Sequence, residues 1–447
     1  MKFSITLFLF IITILSYGQN KSANNWYFGN HAVITFNTQP PTAIPGSAMN
    51  TLQHSSSISD SNGNLLFYTD GITVWDKTNA IMPNGTNLKG DCDLPFGERV
   101  IIIPYPQNVN LYYIFCISFS GLYYSVIDIT LNNGNGDVLN TEKNIFIESD
   151  VKNFLTAVGN EISNTYWLLI QRGGANQGVR AYKIDTNGFN SSAIINNIPS
   201  ATLLKFTPSG LHVAVANGEL GIIIYNFDNQ TGVLDNPLIL IPSGTLEIQS
   251  LAFSQNEQYL YINNRYRKIT QFDLLAGSST EIVNSAYTVY ENTEGKIHTL
   301  QLGSNGKIYI SNTNQSFLSA INSPNEQGVA CNFVHDAVYL GGDTTNYGLP
   351  TFVQSFFLPQ TVEIITANNC LTDPTNFTIS NTENIQSTLW NFGDSQTSTE
   401  LNPAHTYLNP GTYTVTLTIT YNDNSTKTIN KQITIYNQPV QNIILHH

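Results

Sequence analysis

Apolar residues recur along the chain in short runs with period-2 alternation, separated by clusters of Asp, Asn, Gly, Pro and Ser. That spacing predicts strands joined by tight turns rather than helices. The runs group into a repeating unit. Its first clear copy has strands at 55–59, 65–69 and 72–76, with Asp70-Gly71 between the last two. Asp-Gly between apolar runs predicts a type I′ hairpin, in which both turn residues take positive φ. Five further copies follow. Their first strands are predicted at 100–103, 155–158, 203–206, 251–253 and 299–302, and their second strands at 111–116, 166–170, 213–216, 259–262 and 307–310. The third strands fall at 122–128, 179–185, 222–228, 268–273 and 317–322.

The third strands end at Asp76, Asp128, Asp185, Asp228, Asp273 and Asn322, at intervals of 52, 57, 43, 45 and 49 residues. Such intervals suit the blades of a β-propeller. Six blades are complete in sequence. A seventh is expected from the two ends of the region: 349–357 as a lone first strand, with 26–28 and 32–37 as second and third strands. The fold class is therefore all-β, a seven-bladed β-propeller over 19–358 closed by its N-terminal strands. Closure hides sheet edges that would otherwise pair with neighbours. The terminal Asp and Asn residues are read as turn openers that bond their own backbone, not as a ring of acids.

Composition narrows the class. Of 447 residues, 18 are Lys or Arg and 31 are Asp or Glu, so 11% are charged, against about 25% in an ordinary soluble domain. Asn, Thr, Tyr, Phe, Ile and Gly dominate instead, which agrees with strands and turns. A net charge of −13 argues against nucleic acid as partner, since binding a phosphate backbone needs a basic face. Met1 and Lys2 precede an apolar run over 3–15 and then Ser16-Tyr17-Gly18, which places small residues where a signal peptidase would cut before Gln19. A signal peptide is expected over 1–18, with no transmembrane segment after its removal. Export permits disulfides. Cys92, Cys116, Cys331 and Cys370 allow three pairings, of which the local one, Cys92 with Cys116 and Cys331 with Cys370, is expected.

Past 358 the spacing changes to strands predicted at 362–367, 377–380, 388–392, 413–420 and 427–436. Tyr413, Val415, Leu417 and Ile419 alternate with Thr414, Thr416, Thr418 and Thr420, one face buried and one wet, as in a β-sandwich. The segments Trp390-Asn391-Phe392-Gly393-Asp394, Asn402-Pro403-Ala404-His405-Thr406-Tyr407 and Gly411-Thr412-Tyr413-Thr414-Val415 closely resemble the polycystic kidney disease (PKD) domain, an immunoglobulin-like module of extracellular proteins. Ser395 departs from that family, which often has Gly after the Asp of this motif. The resemblance implies a spacer or adhesive, carbohydrate-associated module over 359–438, with a tail at 439–447 and no catalytic residue. Asp394 and His405 are expected to order loops, and Trp390 to sit in the core. The segments at 25–29, 57–71 and 348–352 are similar to those of propeller-plus-PKD surface proteins of Bacteroidetes. Many of these leave by type IX secretion, although their usual C-terminal sorting domain is not recognised here. The expected location is extracellular or cell-surface, or periplasmic without a further secretion step.

No HExxH, GxSxG, P-loop, CxxC or EF-hand pattern is present, so catalysis has no sequence anchor and no cofactor is implied. The densest charge lies at 91–99, where Asp91, Asp93, Glu98 and Arg99 flank a cysteine. These four are read either as a solvated loop or as a ligand or Ca²⁺ contact. Arg172, Arg265 and Arg267, in hairpin turns of neighbouring blades, are candidates for an acidic partner. In Tyr112-Tyr113 and Tyr123-Tyr124 one ring of each pair is expected in the core. The leading expectation is an interaction or adhesion protein that binds protein or glycan through the propeller, with the PKD domain as spacer. The alternatives are a polysaccharide hydrolase or lyase, which would need converging carboxylates, and a component of a surface assembly.

Overall fold

A computed structural model of the protein describes residues 20–90, 97–160, 163–174, 177–199, 201–217, 221–240, 247–292, 296–359, 362–380, 382, 385–421 and 426–438. The expected signal peptide and C-terminal tail lie outside these residues. The chain divides into two compact units, Asn20–Pro359 and the chain from Gln360 onward.

The described residues of the first unit form seven antiparallel sheets in chain order. Sheet one is Asn25–Phe28, Ala32–Thr35 and Thr42–Ala43, and sheet two is Ser56–Ser59, Leu65–Thr69 and Val74–Asp76. Sheet three begins Val100–Pro104, Leu111–Ser118 and Gly121–Asp128, and its third strand also pairs with Asp137–Val138 and Ile145–Glu148. Sheet four begins Val151–Asn160, Thr165–Arg172 and Gly178–Asp185, with Gly188–Phe189 and Ile194–Asn196 outside. Sheets five to seven have four strands each: Leu203–Phe206, His212–Asn217, Gly221–Phe227 and Leu234–Leu240; Ile248–Phe253, Tyr259–Asn264, Lys268–Asp273 and Tyr287–Glu291; Ile297–Leu302, Ile308–Asn312, Phe317–Ile321 and Phe333–Tyr339.

The first strands Val100–Pro104 and Leu203–Phe206 are mostly apolar and buried, and the polar Ser56–Ser59 is buried too, while the outermost strands, such as Tyr287–Glu291 and Phe333–Tyr339, are largely exposed. Both faces of the inner strands are covered, because each sheet packs face to face on the next. Tyr112 and Tyr113 are accordingly both buried. This corrects the expectation of one wet ring. Hydrogen bonds link neighbouring first strands. Ser56 Oγ accepts from Ile102 N (3.2 Å), Thr156 Oγ1 from Phe206 N (3.3 Å) and Ser250 Oγ from Leu300 N (2.9 Å).

Sheet seven meets sheet one. Trp26 and Phe36 pack edge-on against Tyr309 at ring distances of 5.7 and 5.4 Å, and Ser304 Oγ donates to Ala23 O at 3.2 Å. The segment expected as a lone first strand also arrives there, with Phe352 5.9 Å from Trp26. It is not a strand. Residues 349–353 are irregular and Gln354–Phe357 is a 3-10 turn. Its polar groups are satisfied by several sheets: Thr351 O accepts from Ser56 Oγ (2.7 Å), Ser355 Oγ from Gly159 N (2.9 Å) and Phe357 O from Gln255 Nε2 (3.0 Å). The two ends therefore meet through side-chain packing and isolated bridges from Thr344 to Asn30 and His31, not by sharing one sheet.

At Asp70-Gly71 only Gly71 has positive φ, so the turn is not type I′. Asp70 Oδ1 instead accepts from Ile72 N (2.8 Å) and Thr73 N (2.7 Å). This Asx geometry supplies the bend without a left-handed Asp.

The second unit has a three-stranded sheet (Ile364–Ala367, Thr375–Ile379, Ala404–His405) and a four-stranded one (Thr397–Ser398, Ile385–Asn391, Gly411–Tyr421, Thr426–Ile435). Trp390, Phe377, Phe392, Tyr407, Val415, Leu417 and Ile419 form its core. Trp390 Nε1 donates to Glu400 O at 2.9 Å, and Tyr407 Oη donates to Phe392 O at 3.0 Å. Buried indole and phenol groups need such partners.

Candidate ligand-contact residues

Of the charged group at 91–99, Asp91, Cys92 and Asp93 lie outside the described residues. Glu98 and Arg99 are buried. The Glu98 carboxylate is not a solvated contact, because both of its oxygens lie 2.9 Å from Nζ of Lys205, whose Nζ is also 3.4 Å from Gln301 Oε1. Glu98 leads into the first strand of sheet three, while Lys205 and Gln301 belong to the first strands of sheets five and seven. Lys205 is only 2% exposed. An unpaired ammonium would not be tolerated there, so the pairing accounts for both residues. One local signal of this pairing stands in the sequence: a single Lys in the run Leu203-Leu204-Lys205-Phe206.

Arg172, at the end of the second strand of sheet four, is half-buried between Glu148 Oε2 (Nε at 3.5 Å) and Asp150 Oδ2 (Nη2 at 3.7 Å). Glu148 also accepts the Tyr182 hydroxyl. Arg265 has left-handed φ in the turn after Tyr259–Asn264, 3.9 Å from Glu247, and Arg267 is exposed in the same turn. Sheet five separates these two from Arg172. The three arginines are thus not on neighbouring sheets, as the sequence had suggested.

Cys116, Cys331 and Cys370 are free thiols. Cys331 and Cys370 are therefore not bridged, and Cys92, the expected partner of Cys116, lies outside the described residues. Burial pushes the Cys116 thiol up to about 12, which makes it inert. The strand-end acids act as turn openers. Asp76 Oδ1 accepts from Thr78 N (2.7 Å), Asp128 Oδ1 from Thr130 N (2.8 Å), Asp185 Oδ1 from Asn187 N (2.8 Å), Asp228 Oδ1 from Gln230 N (2.8 Å) and Asp273 Oδ1 from Leu275 N (3.0 Å). Among the described residues no group of three His, Cys, Asp or Glu is placed to hold a metal ion.

His298 and His405 are each held against two aromatic rings. His298 is half-buried between the rings of Tyr266 and Tyr347, each 4.7 Å away, and bonds Thr313 Oγ1; burial pushes its pKa down to about 4. His405 stacks on Phe392 at 4.2 Å and its Nε2 lies 2.7 Å from Asp394 Oδ2. That pair ties the loop after Asn391 to the strand Ala404–His405, an ordering role.

These features define an all-β chain of sequential antiparallel sheets followed by an immunoglobulin-like module. Residues 359–435 match the PKD domain family, so the C-terminal module is a PKD domain. A stretch of 31 residues is 68% identical to collagenase ColA of Bacillus cereus, covering 7% of this chain and 3% of that protein, so the chain spans a small fraction of the relative it matches. The PKD1 domain of the Vibrio cholerae metalloprotease PrtV is 35% identical over 17% of this chain and 93% of its own, with a TM-score of 0.15. A putative 6-phosphogluconolactonase of Bacteroides fragilis is 12% identical over 93% of this chain and 96% of its own, with a TM-score of 0.39.

Proposed function

We propose that residues 20–359 are a seven-bladed β-propeller and that the chain is an exported interaction protein, binding extracellular protein or glycan, with its PKD domain as spacer. The observation that carries the propeller reading is the meeting of Glu98, Lys205 and Gln301. Strands that surround a common centre would bring side chains at or just before the first strands of alternate sheets together in this way. The PKD domain and the signal-like N-terminus support export to the cell surface or beyond.

The experiment is fractionation of the native host followed by an array. Recovery from culture fluid or the surface fraction with a mature N-terminus at Gln19 supports export; retention in the cytosol overturns it. The recovered protein is then tested on glycan and extracellular-protein arrays. Saturable binding without product formation supports the interaction reading, and release of reducing sugars from a bound polysaccharide favours the hydrolase or lyase instead.

A further inference from the structure

The outer edge of sheet three carries an exposed aromatic group on a strand that runs into a cluster of charged residues. Phe119, in the turn between Leu111–Ser118 and Gly121–Asp128, is 83% exposed, and Phe146, on the outer strand Ile145–Glu148, is 54% exposed. Tyr123 lies opposite Phe146 in register, with ring centroids 5.4 Å apart at 65°. The phenol of Tyr123 donates to Ser120 Oγ at 3.0 Å, and Ser120 Oγ lies 2.9 Å from Ser118 Oγ, which ties the ring to the turn that bears Phe119. Gly121 permits the close approach. It has φ +136, and a Cβ there would overlap the carbonyl oxygen of Glu148 and press on the Phe146 ring. The Tyr123 and Phe146 rings therefore stand on a braced edge, in place before any partner arrives, with Phe119 projecting from the adjoining turn.

Polar groups follow directly. Glu148 ends the same outer strand, held by Tyr182 and Arg172, and Arg172 also reaches Asp150, whose carboxylate is 61% exposed. The fold does not require two phenylalanines in water at this edge, because neither belongs to a buried core cluster. Exposed aromatics beside fixed hydrogen-bonding groups mark recognition surfaces.

We infer that this edge is a glycan-docking platform for neutral pyranose chains, an inference that rests on the interaction reading and names its ligand class. A pyranose ring has an apolar C–H face and a rim of hydroxyls. The face stacks on Phe146 or Phe119, and the rim meets the serines, Asp150 and Arg172. Charge selects against polyanions. Arg172 is already neutralised by Glu148 and Asp150, and the chain carries −13 overall.

The test is affinity electrophoresis and calorimetry of the full secreted chain against laminarin, cellohexaose and chitohexaose, with alginate as the polyanionic probe. Retardation by at least one neutral glycan and none by alginate is expected. Phe119→Ala and Phe146→Ala should each weaken binding about 5- to 20-fold, the double variant should abolish it, and Phe146→Trp should retain it. Val329→Ala, a similarly exposed apolar residue in the loop before the outer strand of sheet seven, should change nothing. A double variant that binds glycan as the wild type does would overturn the platform while leaving the interaction reading intact. Absence of binding to every neutral glycan would also overturn the platform, and an array hit on a protein ligand in that case would preserve the broader reading.

Discussion

Lys205 Nζ sits 2.9 Å from both carboxylate oxygens of Glu98, 107 residues earlier in the chain, with almost no solvent contact on either side. Breaking such a pair leaves one buried charge without compensation. Lys205→Met is therefore expected to cost about 3 to 5 kcal/mol, whereas Glu98→Gln combined with Lys205→Met should recover most of that loss. Urea midpoints of the three proteins test this. A single variant as stable as the wild type would mean that the pair is hydrated in solution.

His298 makes stability depend on pH. Its folded pKa, about 4, is below the ordinary 6.5 because burial disfavours the imidazolium. Between those values the unfolded chain binds more protons, so the contribution is complete above pH 6.5 and is lost as pH falls toward 4. The loss is about 2 kcal/mol, reduced from the full shift because the ring is partly hydrated. His298→Asn should flatten this part of the stability profile, measured by denaturant titration at pH 7 and 4.5. Equal slopes in the two proteins would rule the histidine out.

The three described thiols, Cys116, Cys331 and Cys370, should behave as independent groups. Cys116, fully enclosed and with its thiol near 12, should resist iodoacetamide at pH 8 until the protein unfolds, while half-buried Cys370 reacts in the native state. Peptide mapping without reductant reads the outcome, and a peptide linking Cys331 to Cys370 would contradict it.

Ser395 has φ of 75° in the turn after Asn391-Phe392-Gly393-Asp394. This is a left-handed conformation that penalises any residue with a Cβ. Ser395→Gly should stabilise the PKD domain by about 0.5 to 1 kcal/mol, after allowing for the greater freedom of glycine in the unfolded chain. Hydrogen exchange of the Gly411–Tyr421 strand in the full chain would report it, and faster exchange in the variant would refute it.

Inner strands were legible because their burial imposes apolar runs: the expected 203–206 coincides with the observed Leu203–Phe206, and the expected 259–262 falls within Tyr259–Asn264. Outer strands such as Tyr287–Glu291 were not legible, since an exposed edge places little demand on residue type. The turn-opening Asp residues were read correctly from position alone, because their bonds reach only two residues ahead. By contrast, Phe119 and Phe146 are 27 residues apart and gain meaning only when a strand folds back beside the turn.

By itself the sequence determined what is local: strand periods, turn chemistry and the signature of the PKD domain, all set by interactions within a few residues. The tertiary structure alone decided which faces are covered, why Tyr112 and Tyr113 are both dry, and that the segment ending at Phe357 packs as an irregular plug instead of a strand. It also decided that Glu98 belongs to Lys205. Period-2 alternation places side chains on two faces but does not say what lies against either one, because burial depends on sheets brought together across long stretches of chain.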